Sequence, residues 1–72
     1  MTLNELPPGA NATITGLPSD PELRLRIQSL GMRIGRRVAV IRRSRFGGPL
    51  QVRIGTTDLL IRPQQALQVR VE

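Results

Sequence analysis

The chain has 72 residues and a formal net charge of +6, from eleven basic and five acidic side chains, and every basic residue is arginine. Histidine, cysteine, lysine, tryptophan and tyrosine are absent, and Phe46 is the single aromatic residue. Cysteine–histidine zinc sites, disulfides, thiol nucleophiles, lysine Schiff bases and histidine acid–base catalysis are therefore excluded. The sequence predicts a protein that is not an enzyme and that holds no cofactor or metal ion.

The length supports one domain, residues 1–72, because a second hydrophobic core would be too small to be stable alone. The absence of cysteine fits a reducing compartment. No charged segment precedes an apolar stretch near the beginning of the chain, and the longest aliphatic runs, 38–41 and 59–61, are far too short to cross a bilayer. We therefore expect a cytoplasmic protein that does not insert into a membrane.

The chain opens with a turn-rich segment that precedes the first predicted strand. Leu3 and Leu6 stand in this segment beside two prolines and a glycine, and we expect them to fill one end of the core. Residues 12–17 follow and predict a strand, because threonines alternate there with an isoleucine. The core is thus expected to begin with the first residues of the chain.

A helix is predicted over about 19–30. Ser19 is the expected N-cap, and Glu22 stands three residues later, as in a capping box. Gly31 is the expected left-handed residue after the helix, with Met32 placed for a hydrophobic contact back onto it. Three residues spaced i, i+4, i+7 form the predicted apolar stripe: Leu23, Ile27 and Leu30.

From Gly35 onward the hydrophobic period changes to two, which predicts short strands. The predicted strands are 37–42, 50–54, 59–62 and 67–71, separated by turns at 44–49 and 55–58 and a helical turn at 63–66. About five strands with one inserted helix predict a mainly β fold, a small closed or nearly closed barrel. Closure would also protect the strand edges of so small a protein.

Leu25 departs from the apolar stripe. It lies about 200° around the helical wheel from Leu23, on the otherwise polar side. Either a neighbouring loop covers it, or it is an exposed docking contact; the sequence leaves both open.

The excess of arginine has three interpretations. The arginines are a solvated surface whose stems cover a thin core, they contact nucleic-acid phosphates, or they steer the protein to an acidic partner or membrane surface. Binding to single strands usually requires aromatic platforms, and only Phe46 is available. The one predicted helix carries only Arg24 and Arg26, which argues against a recognition helix. The sequence therefore argues against nucleic acid and favours a protein partner.

The loop after the second strand is the strongest candidate for partner contact. Arg42, Arg43 and Arg45 stand beside Phe46, and arginine with an aromatic residue is typical of binding hot spots. The predicted partner-binding residues are this cluster and the exposed side of the helix: Leu25, Arg45 and Phe46 as contacts, and Arg24, Arg42 and Arg43 as steering charges.

An ordered set of short motifs over the whole chain resembles the FeoA family. The motifs are Leu3-x-x-Leu6-x-x-Gly9, Arg26-Ile27-Gln28-Ser29-Leu30-Gly31-Met32-x-x-Gly35, Gly47-Gly48-Pro49-Leu50, and Leu59-Leu60-Ile61-Arg62-x-x-x-Ala66-x-x-x-Val69-x-Val71. The resemblance implies a single FeoA-like domain over 1–72 with an SH3-like barrel and an inserted helix.

The resemblance also implies a function. Members of this family are accessory proteins of bacterial ferrous iron uptake that act on the cytoplasmic face of the FeoB permease, and the same domain occurs in metal-dependent repressors as an interaction domain. We therefore expect a non-enzymatic, cytoplasmic regulator of iron transport that binds a FeoB-type permease. The alternatives are a basic SH3-like module that binds nucleic acid, or the interaction domain of such a repressor.

Three positions depart from the pattern of the family. Ile34 stands where a proline usually precedes Gly35, Arg45 and Phe46 replace the usual Pro-Leu before the glycines, and Leu25 takes a position that is more often polar. If these positions touch the partner, the contacts differ in detail from those of the relatives.

Overall fold

A computed structural model describes all 72 residues, Met1–Glu72. Five strands form one sheet: β1 (Asn11–Gly16), β2 (Arg37–Arg43), β3 (Leu50–Ile54), β4 (Thr57–Ile61) and β5 (Arg70–Val71). The helices are α1 (Pro21–Ser29) and the single turn α2 (Pro63–Ala66), with short 3₁₀ turns at Leu3–Glu5 and Arg45–Gly47. The mainly β architecture with one inserted helix confirms the sequence prediction.

The sheet is antiparallel throughout, in the order β4-β3-β2-β1-β5. Strands β4 and β5 are its two edges and do not pair with each other, so hydrogen bonds do not close the barrel. The first residues of the chain cover the outer side of β5: the amide of Leu3 donates to the carbonyl of Val69, and that of Val71 donates to the carbonyl of Met1. Strand β4 is therefore the uncovered edge of the sheet.

One hydrophobic cluster holds the fold together. Alternate residues of each strand point inward, as the period of two predicts. Both leucines of the opening segment are buried with them, as expected. The cluster consists of Leu3, Leu6, Ala12, Ile14, Ile27, Met32, Val38, Val40, Leu50, Val52, Ile54, Ile61, Ala66, Val69 and Val71.

Helix α1 begins one residue later than the capping-box pattern indicates. The N-cap is Asp20, whose carboxylate accepts a hydrogen bond of 3.0 Å from the amide of Leu23, and Pro21 occupies the first helical position. Glu22 is therefore the second helical residue, and the prediction of Ser19 as N-cap is wrong. An aspartate cap accepts the same amide bond and adds a charge that favours the helix N-terminus, which explains the shift.

The end of α1 confirms the prediction made from Gly31 and Met32. Gly31 has a φ of 98°, its amide donates to the carbonyl of Gln28, and that of Met32 donates to the carbonyl of Ile27. These are the two hydrogen bonds of a Schellman motif. Met32 and Ile27 are both fully buried, so the motif ties the helix to the core.

The rest of the predicted apolar stripe is less buried than the spacing indicates. Ile27 is the one residue of α1 in the core, Leu23 is half-buried against the core, and Leu30 stays exposed. The nine residues of α1 therefore contribute a single fully buried side chain to the core.

The last strand is shorter than predicted. It comprises only Arg70 and Val71, because the helical turn of α2 continues through an amide bond from Leu67 to the carbonyl of Pro63. Leu67 is therefore exposed, although the alternation with Val69 placed it inward. No helix of the structure is both long and apolar enough to span a membrane.

Candidate interaction surface

The loop between β2 and β3 presents Phe46 to solvent. Its ring has no shielding from the rest of the chain, with a relative exposure of 102%, and its backbone is left-handed at φ 59° and ψ 38°. No other residue besides glycine has a positive φ. A left-handed conformation costs a residue with a side chain about 1–2 kcal/mol. The loop therefore holds its one aromatic side chain outward at a cost in free energy.

A groove of about 460 Å³ lies next to Phe46, between this loop and the end of β4. Leu60 is its one large aliphatic side chain, with 69% of its surface exposed. The lining residues are Gly47, Gly48, Pro49, Leu60, Arg62, Pro63 and Gln64.

Leu60 faces outward because β4 alternates. Its neighbour Ile61 is fully buried and Leu59 packs partly against the core, while Leu60 lies opposite Gln51 of β3 on the outer face. Sequence reasoning missed Leu60 as a surface residue. The signal was present, since three successive aliphatic residues in a strand cannot all point to the same side of the sheet.

Positive charge surrounds the groove without compensation. Arg62 lines it, Arg45 and Arg42 are exposed in and before the neighbouring loop, and no carboxylate is among the lining residues. The whole chain contains a single ion pair, Arg53 with Asp58, at 2.6 Å from Nε to Oδ1. None of the other arginines is paired with a carboxylate, so their charge is available to attract an anionic partner.

The Arg53–Asp58 pair lies on the outer face of the β3–β4 hairpin. The hydrogen bond from Arg53 lowers the pKa of Asp58 below its usual value, and a second bond from the side-chain amide of Gln51, with Nε2 3.0 Å from Oδ2, acts in the same direction. The same contact raises the pKa of Arg53. The carboxylate of Asp58 is therefore paired with an arginine of the same sheet.

Arg43 differs from the other predicted steering residues. It is half-buried, and its guanidinium donates to the carbonyl of Leu6, with Nη2 at 3.1 Å, and to the carbonyl of Asn4. These bonds fix the opening turn of the chain against the end of β2. The position of Arg43 thus anchors the beginning of the loop that carries Arg45 and Phe46.

The predicted contact residues of the helix are exposed. Leu25 is 67% exposed and Arg24 is exposed beside it, so the interpretation that a neighbouring loop covers Leu25 is wrong. No residue of α1 lines the groove beside the Phe46 loop.

The residues needed for a metal site are not brought together. No three acidic side chains converge anywhere in the chain. Asp20 and Glu22 line a shallow depression with Leu23 and Arg26, but Asp20 caps α1, and a hard cation wants more oxygen ligands than this.

Fold and surface together define a class: a small SH3-like β domain that exposes an aromatic side chain beside arginine in the loop after its second strand. The family model of the FeoA domain matches residues 1–72. The chain therefore belongs to the FeoA family, which is associated with ferrous iron transport and whose members are generally non-enzymatic accessory proteins.

Solved structures agree over the full chain. FeoA of Chlorobium tepidum is 31% identical with a TM-score of 0.89, covering 99% of this chain and 68% of that one. A zinc complex of FeoA from Stenotrophomonas maltophilia, described as an SH3 domain protein, is 29% identical with a TM-score of 0.84, covering 100% and 89%. The sequence of the chain matches no curated protein.

The fold also occurs within a larger regulator. A manganese-dependent transcriptional repressor matches with a TM-score of 0.89 and 22% identity, covering 99% of this chain and 40% of the repressor. At that identity the likeness concerns the fold alone.

Proposed function

We propose that this protein is a cytoplasmic, non-enzymatic regulator of ferrous iron uptake that binds the cytoplasmic part of a FeoB-type permease. Phe46 and Arg45 make the central contact, and Arg42 steers the approach. Arg43 supports the loop from its half-buried position. Leu25 and Arg24 form a second contact on α1.

The observation that carries this proposal is the fully exposed, left-handed Phe46. Strained backbone persists only where the surrounding structure holds it, and such residues cluster at sites of binding and function. An aromatic ring in water also forgoes the hydrophobic stabilisation that burial in an interface provides. Membership of the FeoA family supports the permease as the partner.

The charge distribution supports an electrostatically steered encounter. Ten of the eleven arginines have no ion pair, and the net charge is +6. Such a field raises the rate of association with an acidic surface and weakens with salt. The complex is therefore expected to associate more slowly as the ionic strength rises.

The test is capture of the cytoplasmic region of a FeoB-type permease by the immobilised protein. Phe46→Ala and Arg45→Glu are each expected to weaken binding by at least about tenfold, as for hot-spot residues. Arg33→Glu is the matched control, because Arg33 is exposed and distant in sequence from the loop. Leu25→Ser measures the contribution of the helix.

Capture that is unchanged in both Phe46→Ala and Arg45→Glu would remove the loop from the interface. Equal losses in Arg33→Glu and Arg45→Glu would mean that only the overall charge matters. Circular dichroism of each variant verifies the fold, which exposed positions are expected to leave intact.

The unpaired arginines also favour a second candidate, binding to nucleic acid. Phosphate contacts by several arginines would give an affinity that falls steeply with salt. Titration with duplex and single-stranded probes at low salt tests this directly. Absence of binding there eliminates nucleic acid and leaves the protein partner.

A further inference from the structure

Strand β4 is the one edge of the sheet that the protein leaves open. The opposite edge, β5, is paired with the first three residues of the chain. Natural proteins usually block an exposed edge with lysine, proline, a bulge or a covering segment. Here β3 and β4 pair in regular register from Ile54 and Thr57 to Leu50 and Ile61, without a bulge. An open, regular edge is a template for another strand.

The turn before β4 fixes which backbone groups face outward. Gly55 and Thr56 form a two-residue hairpin turn, and Gly55 takes a φ of 62° at the first central position, as a type II′ turn requires. The flanking residues Ile54 and Thr57 then form a hydrogen-bonded pair, and pairs alternate along the hairpin. The amide and carbonyl of Asp58 and of Leu60 therefore point away from β3, toward solvent.

The groove adds side-chain recognition to this edge. Leu60 of β4 lines it together with Pro49 and the two preceding glycines. Strand addition takes its affinity from main-chain hydrogen bonds and its specificity from pockets for alternate side chains. The end of β4 offers both within a few residues.

Charge decides which occupant fits. Arg62 lines the groove and Arg45 stands in the adjoining loop, while Asp58, the one carboxylate on β4, is already paired with Arg53. A second copy of this chain would bring its own arginines and a net charge of +6 against the same surface. An acidic strand is attracted there, and a second copy is repelled.

We propose that an extended, acidic segment of a protein partner adds to β4 as a sixth strand. Its backbone pairs with Leu60 and Asp58, one apolar side chain enters the groove against Leu60 and Pro49, and a carboxylate lies opposite Arg62. The proposal rests on the proposed function only for the identity of the partner, since the chemistry of the segment follows from the edge and the groove.

The probe is a capped octapeptide that alternates glutamate with leucine or valine, titrated into the isotopically labelled protein and followed by NMR. Saturable shifts are expected at the amides of Leu60 and Asp58 and around Gly47 and Gly48. Exchange of the Leu60 amide with solvent is expected to slow about tenfold when the peptide concentration is ten times its Kd. The same peptide with lysine in place of glutamate is expected not to bind.

Two variants localise the site. Leu60→Ser and Arg62→Glu are each expected to weaken peptide binding by about tenfold or more. Leu67→Ser is the matched control, because Leu67 is similarly exposed and does not line the groove. All three positions are on the surface, and the unbound spectra report whether each variant keeps its fold.

Three results would overturn the proposal: no shifts on β4 at millimolar peptide, equal binding of the lysine peptide, or shifts on β4 that follow the concentration of the protein alone and so indicate a second copy.

Capture of the permease region separates this proposal from the proposed function. If Leu60→Ser and Arg62→Glu capture it as well as the unmodified protein does, strand addition fails and permease binding stands. If the acidic peptide binds β4 but the permease region is not captured, permease binding fails and strand addition stands.

Discussion

The turn after α1 and the loop after β2 each combine a left-handed residue with a large apolar side chain, and they use that conformation in opposite ways. After α1, Gly31 is left-handed and the following Met32 is fully buried in the core. After β2, Phe46 is itself left-handed and is fully exposed. In the first turn glycine removes the steric cost, and the apolar side chain stabilises the fold. In the second turn the cost remains, and the apolar side chain stabilises nothing within the chain.

The difference separates residues that serve folding from residues that serve binding. Backbone strain and apolar exposure each cost free energy, and both occur at Phe46 in a domain with little stability to spare. The neighbouring groove, which the unpaired Arg62 lines, makes the same stretch of surface suitable for an acidic partner. The turn after α1 is accordingly expected to govern stability, and the loop after β2 to govern association.

The largest expected effect is on the free energy of unfolding and comes from the turn after α1, where Met32 is buried. Met32→Ala leaves a cavity beside Ile27 and is expected to lower the free energy of unfolding by about 2–4 kcal/mol. For a domain of this size that is a large part of the total, about 5–10 kcal/mol. Urea denaturation followed by circular dichroism measures the loss. A loss below about 1 kcal/mol would show that the Schellman contact does not anchor the helix.

A reciprocal pair of substitutions tests the backbone at the two turns. Gly31→Ala is expected to destabilise the fold by about 1–2 kcal/mol, because no atom lies near the added methyl group and the cost is the left-handed backbone. Phe46→Gly removes the same strain and is expected to stabilise the fold by up to about 1 kcal/mol. Thermal denaturation measures whether each substitution raises or lowers the stability of the fold. Destabilisation by Phe46→Gly would mean that the ring supports the fold.

The smallest expected effect is on the pH dependence of stability, through a carboxylate on the edge strand β4. Because the pKa of Asp58 is lowered in the folded protein, its pair with Arg53 adds stability above the unfolded pKa, near 4. That contribution is lost as the pH falls below 4 through the folded pKa. Both groups are exposed, so the change is small. Asp58→Asn is expected to reduce the loss of unfolding free energy as the pH falls below 4. The same dependence of the unfolding free energy on pH in both proteins would contradict this prediction.

Much of the fold could be predicted from the sequence because its signals are local. The alternation of Leu50, Val52 and Ile54 specifies a half-buried strand, and the glycine at position 31 specifies the end of the helix. The errors arose where two local signals compete. Ser19 and Asp20 are both good N-caps, and Leu67 fits either an alternating strand or the end of a helical turn.

The candidate site was predictable only in part. Arg45 and Phe46 were singled out from composition, and the structure leaves both exposed. Leu60 and Arg62 were missed, because they join this surface only when β4 pairs with β3 and brings its end beside the loop. The bonds from Arg43 to Asn4 and Leu6 span almost forty residues, so no local pattern could reveal them.

The sequence by itself determined the chemical inventory of this protein: no histidine, cysteine or lysine, one aromatic ring, and an excess of arginine. It also determined the elements, because hydrophobic period and turn residues act over a few positions. Only the tertiary structure decided which arginines are free, which leucine faces the groove, and which strand edge stays open. Those properties depend on pairing between distant segments, and burial and hydrogen bonding are settled only when the sheet has formed.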